Sequence, residues 1–172
     1  MGVRAMGQTR PARTFWWDRE PAAEAGVLRA VIFDADSALA DIERDHARTD
    51  LIDAVMSLFV AGVWVGVVSG GPRTQVETLV RHLLGDGLVE TIVTIDDLTE
   101  ADAGLARSGE LYRLALWEIG ITPRGALAVT GSERGLRTAT AAGLPAVGVD
   151  EALSAASCQL AHRRWWLQRL AA

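Results

Sequence analysis

Asp34 and Asp36 stand two residues apart at the end of an apolar run, Leu28-Arg29-Ala30-Val31-Ile32-Phe33, that reads as a buried strand. Carboxylates in such a place are costly to dehydrate unless a metal ion or a substrate uses them. One of them can attack phosphorus and carry the phosphoryl group as an aspartyl-phosphate. The other, two residues on, can protonate the leaving oxygen and then activate water. Ser69, Gly70 and Gly71 close a second apolar run, Val63 to Val68, and offer a hydroxyl and backbone N–H groups to the phosphoryl oxygens. Mg²⁺ is the hard cation suited to oxygen ligands, with Asp34 and Asp36 as its expected protein ligands.

These residues need a scaffold that brings strand ends together, and the chain alternates accordingly. Apolar residues at helical spacing, Leu51 to Phe59, follow the first strand, and Gly62 ends that helix. Pro72 suits the first turn of a helix through Val76, Leu79, Val80 and Leu83. Thr91 to Ile95 reads as a third strand, Leu127 to Thr130 as a fourth and Ala146 to Val149 as a fifth. Ser108 is a candidate N-cap for the helix carrying Leu111, Leu114, Ala115 and Ile119. A helix ending at Gly143 precedes the fifth strand, and the last helix runs from about Leu153 to Leu170. Strands apolar throughout, alternating with helices, imply a parallel sheet covered on both faces. The expected fold is a doubly wound, Rossmann-like α/β domain of five parallel strands over residues 28–172. A polar leader, residues 1–27, precedes it and carries Phe15-Trp16-Trp17. Ligands of such sheets bind at the carboxyl ends of the strands, where Asp34 and Ser69 fall.

Composition narrows the function classes. Hydrophobic residues are 49% of the 172, enough for a real core and against disorder. A net charge of -5 argues against nucleic acid as the main partner. No apolar run reaches the length of a membrane span. Arg4, Arg10 and Arg13 have no apolar stretch behind them, so the N-terminus does not read as a secretory signal. The single Cys158 allows no intrachain disulfide and suits the cytoplasm. Every Lys/Arg position is Arg; the chain has no Lys.

From Leu28 to Asp150 the chain resembles the haloacid dehalogenase (HAD) superfamily, in its beta-phosphoglucomutase-like phosphatase branch. The resemblance rests on Val31-Ile32-Phe33-Asp34-Ala35-Asp36-Ser37, on Val67-Val68-Ser69-Gly70, and on Val129-Thr130-Gly131-Ser132-Glu133-Arg134-Gly135 with Ala141-Ala142-Gly143 after it. It implies a Mg²⁺-dependent phosphoric-monoester hydrolase with Asp34 as nucleophile, Asp36 as acid/base and Ser69 holding the phosphoryl oxygens. The implied substrate is a phosphorylated small molecule or macromolecule.

Three departures bear on that implication. The family's third motif is a Lys, and the matching stretch puts Ala106 or Arg107 there; Arg107 is the candidate stand-in, although a planar fork does not replace an ammonium. The family's metal-ligating Asp falls on Gly131 and its acidic neighbour on Thr130, leaving Glu133 or Asp150 as replacement candidates. The stretch from Asp41 to Ser69 has room for one helix and no cap domain, so the site is expected to be capless and open. Each lost charged group commonly costs on the order of a hundredfold or more in rate. The expectation is a weakened hydrolase, with a non-catalytic binding or regulatory module as the alternative.

Asp96-Asp97 reads as a turn or helix-start signal. His46, His82 and His162 lack metal-like spacing and are expected on helix surfaces. Phe15-Trp16-Trp17 and Trp165-Trp166 are expected to pack on the domain or on each other, with a homodimer contact as the alternative.

Overall fold

The computed structural model describes residues 27–40, 48–99, 107–149 and 153–172. Five strands, β1 (Ala30–Asp34), β2 (Trp64–Ser69), β3 (Thr91–Thr94), β4 (Ala126–Thr130) and β5 (Ala146–Gly148), form one sheet in the order β3-β2-β1-β4-β5. All neighbouring pairs are parallel. Among the described residues five α-helices connect and cover them: α1 (Arg48–Val60), α2 (Arg73–Leu84), α3 (Arg107–Ile119), α4 (Glu133–Ala141) and α5 (Ala155–Ala171). This is the doubly wound α/β arrangement that the alternating pattern anticipates, with β1 at the centre.

The all-apolar strands follow from burial on both faces. In β1 the side chains alternate: Val31 and Phe33 join one core with α1, α2 and Cys158 of α5, while Ala30 and Ile32 join the other with Leu111 to Leu116 of α3. Element ends move by one or two residues from the sequence reading, as helix and strand ends commonly do. Pro72 is the N-cap of α2, one place before its first turn. Ser108 falls inside α3, which opens at Arg107, so it does not cap that helix. Gly62, at φ 74°, occupies the left-handed turn that ends α1.

His162 corrects the sequence reading. It lies in α5 at 3% exposure, and its Nε2 is 2.6 Å from the Arg124 carbonyl oxygen and 3.2 Å from Trp166 Nε1. The helical position predicts nothing about this, because α5 buries that face against the Pro123–Gly125 turn before β4. His82 is exposed on α2, as expected. Trp165 and Trp166 pack edge to face at 4.9 Å between ring centroids, and Arg169 and Arg124 each lie over one of the rings. His46 and Phe15-Trp16-Trp17 lie outside the described residues.

Candidate functional site

The sheet register assembles the site. Asp34 pairs with Val68, which places Ser69 one step beyond it on β2, and Phe33 pairs with Val129, which places Thr130 beside Asp34 on β4. The chain then leaves β1 through a single π-helical turn, Ala35–Leu39, with Ala35, Ala38 and Leu39 buried. That turn folds Asp36 and Ser37 back toward Asp34.

Asp34 is ringed by neutral donors. Its Oδ1 accepts the Asp36 N–H at 3.1 Å, and its Oδ2 accepts the Ser37 hydroxyl at 2.9 Å and the Thr130 hydroxyl at 3.0 Å. The Gly131 N–H donates to Ser37 Oγ at 2.9 Å, and Ser37 Oγ also lies 3.0 Å from Thr130 Oγ1. The first turn of α4 closes in from above. Ser132 caps it by accepting the Gly135 N–H at 3.0 Å. A Cβ at Gly135 would lie 1.9 Å from Thr130 Oγ1 and 3.0 Å from Asp34 Oδ2, so only glycine allows the approach. A helix N-terminus favours a carboxylate next to it.

Asp36 is the second anchor. Its Oδ1 accepts the Ser69 hydroxyl at 2.5 Å and its Oδ2 the Gly70 N–H at 2.8 Å. Ser69 Oγ in turn accepts the Gly71 N–H at 3.0 Å. Asp34, Asp36, Ser69 and Gly70 thus meet in one pocket of about 510 Å³, together with Tyr112 and Arg134.

Tyr112 is buried on α3, and its hydroxyl has no hydrogen-bond partner among the described residues. Burial first, and then the Asp34 and Asp36 charges, hold its pKa above the ordinary phenol value, so it stays an O–H.

No family profile matches the chain and no curated protein matches it. Solved structures do. Beta-phosphoglucomutase from Clostridium difficile superposes with a TM-score of 0.60 at 10% identity, covering 81% of this chain and 99% of that one. CbbY from Rhodobacter sphaeroides, in complex with phosphate, gives 0.54 at 19% identity over 70% of this chain and 85% of that one. A HAD-superfamily hydrolase of subfamily IA from Geobacter sulfurreducens gives 0.51 at 18% identity, covering 70% and 89%. The fold is that of the haloacid dehalogenase superfamily.

The HAD resemblance implies a Mg²⁺ site, and the donor set can be tested against it. Thr130 and Gly131 stand where the resembled family has acids, and neither offers a carboxylate. Among the described residues no third Asp, Glu, His or Cys joins Asp34 and Asp36 in a metal-binding group. Glu133 pairs with Arg137 at 3.2 Å on the outer surface of α4, where both are exposed. Asp150 lies outside the described residues. The Oδ2 of Asp34 is turned to two hydroxyl protons, which a metal ion would have to displace. The described residues do not fit a Mg²⁺ site.

The remaining candidates separate cleanly. Ser69, Gly70 and Gly71 form a donor loop at the end of β2, and two of its donors are spent on Asp36. Arg107 opens α3, but its side chain lies outside the described ones. Among the described residues the cation that lines the pocket is Arg134, which the HAD resemblance did not mark. Asp96 and Asp97 are structural. Asp96 accepts the Arg73 N–H at 2.9 Å at the start of α2, and Asp97 closes a capping box with Thr94 and pairs with Arg73. Ser37, Thr130 and Tyr112 are site residues that sequence reasoning passed over. Hydroxyls three residues or a whole strand away carry no spacing signal, and Tyr112 reads as one more apolar position of its helix.

Proposed function

We propose that this chain is a non-catalytic ligand-binding module on a HAD hydrolase fold, a pseudoenzyme with a capless pocket at the strand ends. One observation carries the reading: Asp34 Oδ2 accepts the hydroxyls of both Ser37 and Thr130, with no third acid beside it among the described residues. A phosphoryl-transfer nucleophile needs positive charge to balance the transition state. Here neutral hydroxyls take that place at Asp34, the chain has no Lys to add, and Arg134 is the cation that lines the pocket among the described residues. The acid pair is held as a pair of acceptors facing a pocket.

The test is hydrolysis of a generic aryl phosphate with and without Mg²⁺, wild type against Asp34→Asn. Equal, negligible rates support the module. A rate that needs both Asp34 and metal sinks it.

A second reading, a slow phosphoric-monoester hydrolase working through an Asp34 aspartyl-phosphate, is favoured by one contact set. Asp36 sits with its carboxylate on Ser69 and Gly70 and within the same pocket as Asp34, the placement expected of an acid/base beside a phosphoryl cradle. Its substrate would be a phosphorylated small molecule or macromolecule, since the described residues include no cap that selects for size.

A further inference from the structure

Nine large apolar side chains are exposed among the described residues, and six of them lie on two helices: Met56, Phe59 and Val60 on α1, and Leu160, Leu167 and Leu170 on α5. The two helices adjoin, since the Ala155 N–H at the start of α5 donates to Ser57 Oγ on α1 at 2.9 Å. Exposed apolar residues gathered in this way mark a contact surface, whereas scattered ones mark nothing.

Spacing shows which faces these are. On α5, Leu160, Arg163, Arg164, Leu167 and Ala171 recur at i, i+3, i+4, i+7 and i+11 and share one face, opposite the buried Cys158 and His162. Trp166 is turned away from that face, to His162 and Arg124. On α1, Asp53, Met56 and Val60 share the face opposite the buried Leu51, Val55 and Leu58, with Asp50 one turn before Asp53.

The two faces match in kind and differ in charge. α5 carries three arginines and no acid, whereas α1 presents Asp50 and Asp53. Arg163, Arg164, Asp50 and Asp53 are all exposed, and none has an ion-pair partner among the described residues. Within one copy these faces both point to solvent and do not meet. A second copy related by a two-fold axis can bring them together, with α1 of each copy against α5 of the other. A lipid surface fits worse. Its phosphates would attract the arginines but repel Asp50 and Asp53, on a chain whose net charge is -5.

We infer that this chain forms a two-fold homodimer through α1 and α5. Asp50 and Asp53 of one copy face Arg163 and Arg164 of the other, around an apolar centre of Met56, Val60, Leu160 and Leu167. The inference is independent of what the pocket binds.

Sedimentation velocity of the full chain over a concentration series tests it, with two charge-swapped variants, Asp50→Arg/Asp53→Arg and Arg163→Asp/Arg164→Asp. Wild type is expected to dimerise in the micromolar range. Each variant alone sets like charges opposite each other at both contacts and should weaken the dimer about tenfold or more. An equimolar mixture of the two variants restores opposite charges at both contacts, so a dimer holding one of each should return. Leu160→Ser/Leu167→Ser, which alters exposed side chains only, should dissociate the dimer as well. A wild type that stays monomeric, a dimer that all the variants leave intact, or swapped variants that stay apart on mixing overturns the inference. Flotation of monomeric wild type with phosphatidylserine vesicles would overturn it in favour of a lipid surface.

Discussion

The Thr130 hydroxyl donates to Asp34 Oδ2 at 3.0 Å, from the position where the resembled HAD branch carries an acid. The exchange turns a neighbour that would repel Asp34 and attract a cation into one that simply solvates the carboxylate. Thr130 is fully buried, so removal of its hydroxyl leaves Asp34 with one fewer donor. Thr130→Val should cost about 1.5 kcal/mol, the usual scale for a hydrogen bond to a charged group. Urea denaturation of the two proteins measures it.

Gly135 and Gly109 make a paired prediction of opposite sign. Both lie in helices, where Gly→Ala ordinarily gains up to about 1 kcal/mol. At Gly109 in α3 the nearest atom to an added Cβ is 3.9 Å away, so Gly109→Ala should stabilise. At Gly135 the Cβ meets Thr130 Oγ1 at 1.9 Å, which forces α4 off the strand ends. Gly135→Ala should lose about 1–3 kcal/mol by overpacking and disturb the Asp34 hydroxyl pair. Denaturation midpoints decide both.

His162 predicts a pH dependence. Burial holds its pKa below the ordinary value near 6.5, partly offset by the Arg124 carbonyl. The unfolded chain therefore takes up the proton first, and stability falls as pH drops through 6.5 toward the folded-state value. His162→Gln should flatten the stability profile between about pH 7 and 5. A profile unchanged by that substitution would remove His162 as its source.

Cys158 is buried in the core under α5, and desolvation pushes its thiol up to about 11. Thiolate is scarce at neutral pH, so the native protein should resist a disulfide reagent and react only as it unfolds. The labelling rate should then follow the unfolding equilibrium across a urea series.

Much of the fold was legible in the chain. Val31, Phe33, Val67 and Val129 are apolar because β1, β2 and β4 are covered on both faces, and that leaves a plain pattern. The acid pair was legible as well, because two charges at the end of such a strand have no packing explanation. The rest of the site was not. Ser37 and Thr130 gain meaning only from the register that sets β4 beside β1. Tyr112 sits among apolar neighbours, and whether its hydroxyl finds a partner depends on what faces α3. His162 looked like a surface residue because α5 has polar residues around its circumference, and burial is decided by the turn it meets.

The central claim is that Asp34 is held as a solvated acceptor rather than as a metal-assisted nucleophile. The most direct measurement is aryl phosphate hydrolysis with saturating Mg²⁺ by wild type, Asp34→Asn and Gly131→Asp. The account predicts no turnover by wild type above Asp34→Asn, with any gain confined to Gly131→Asp, where a carboxylate returns. Wild-type turnover that disappears both in Asp34→Asn and on chelation of the metal would contradict it.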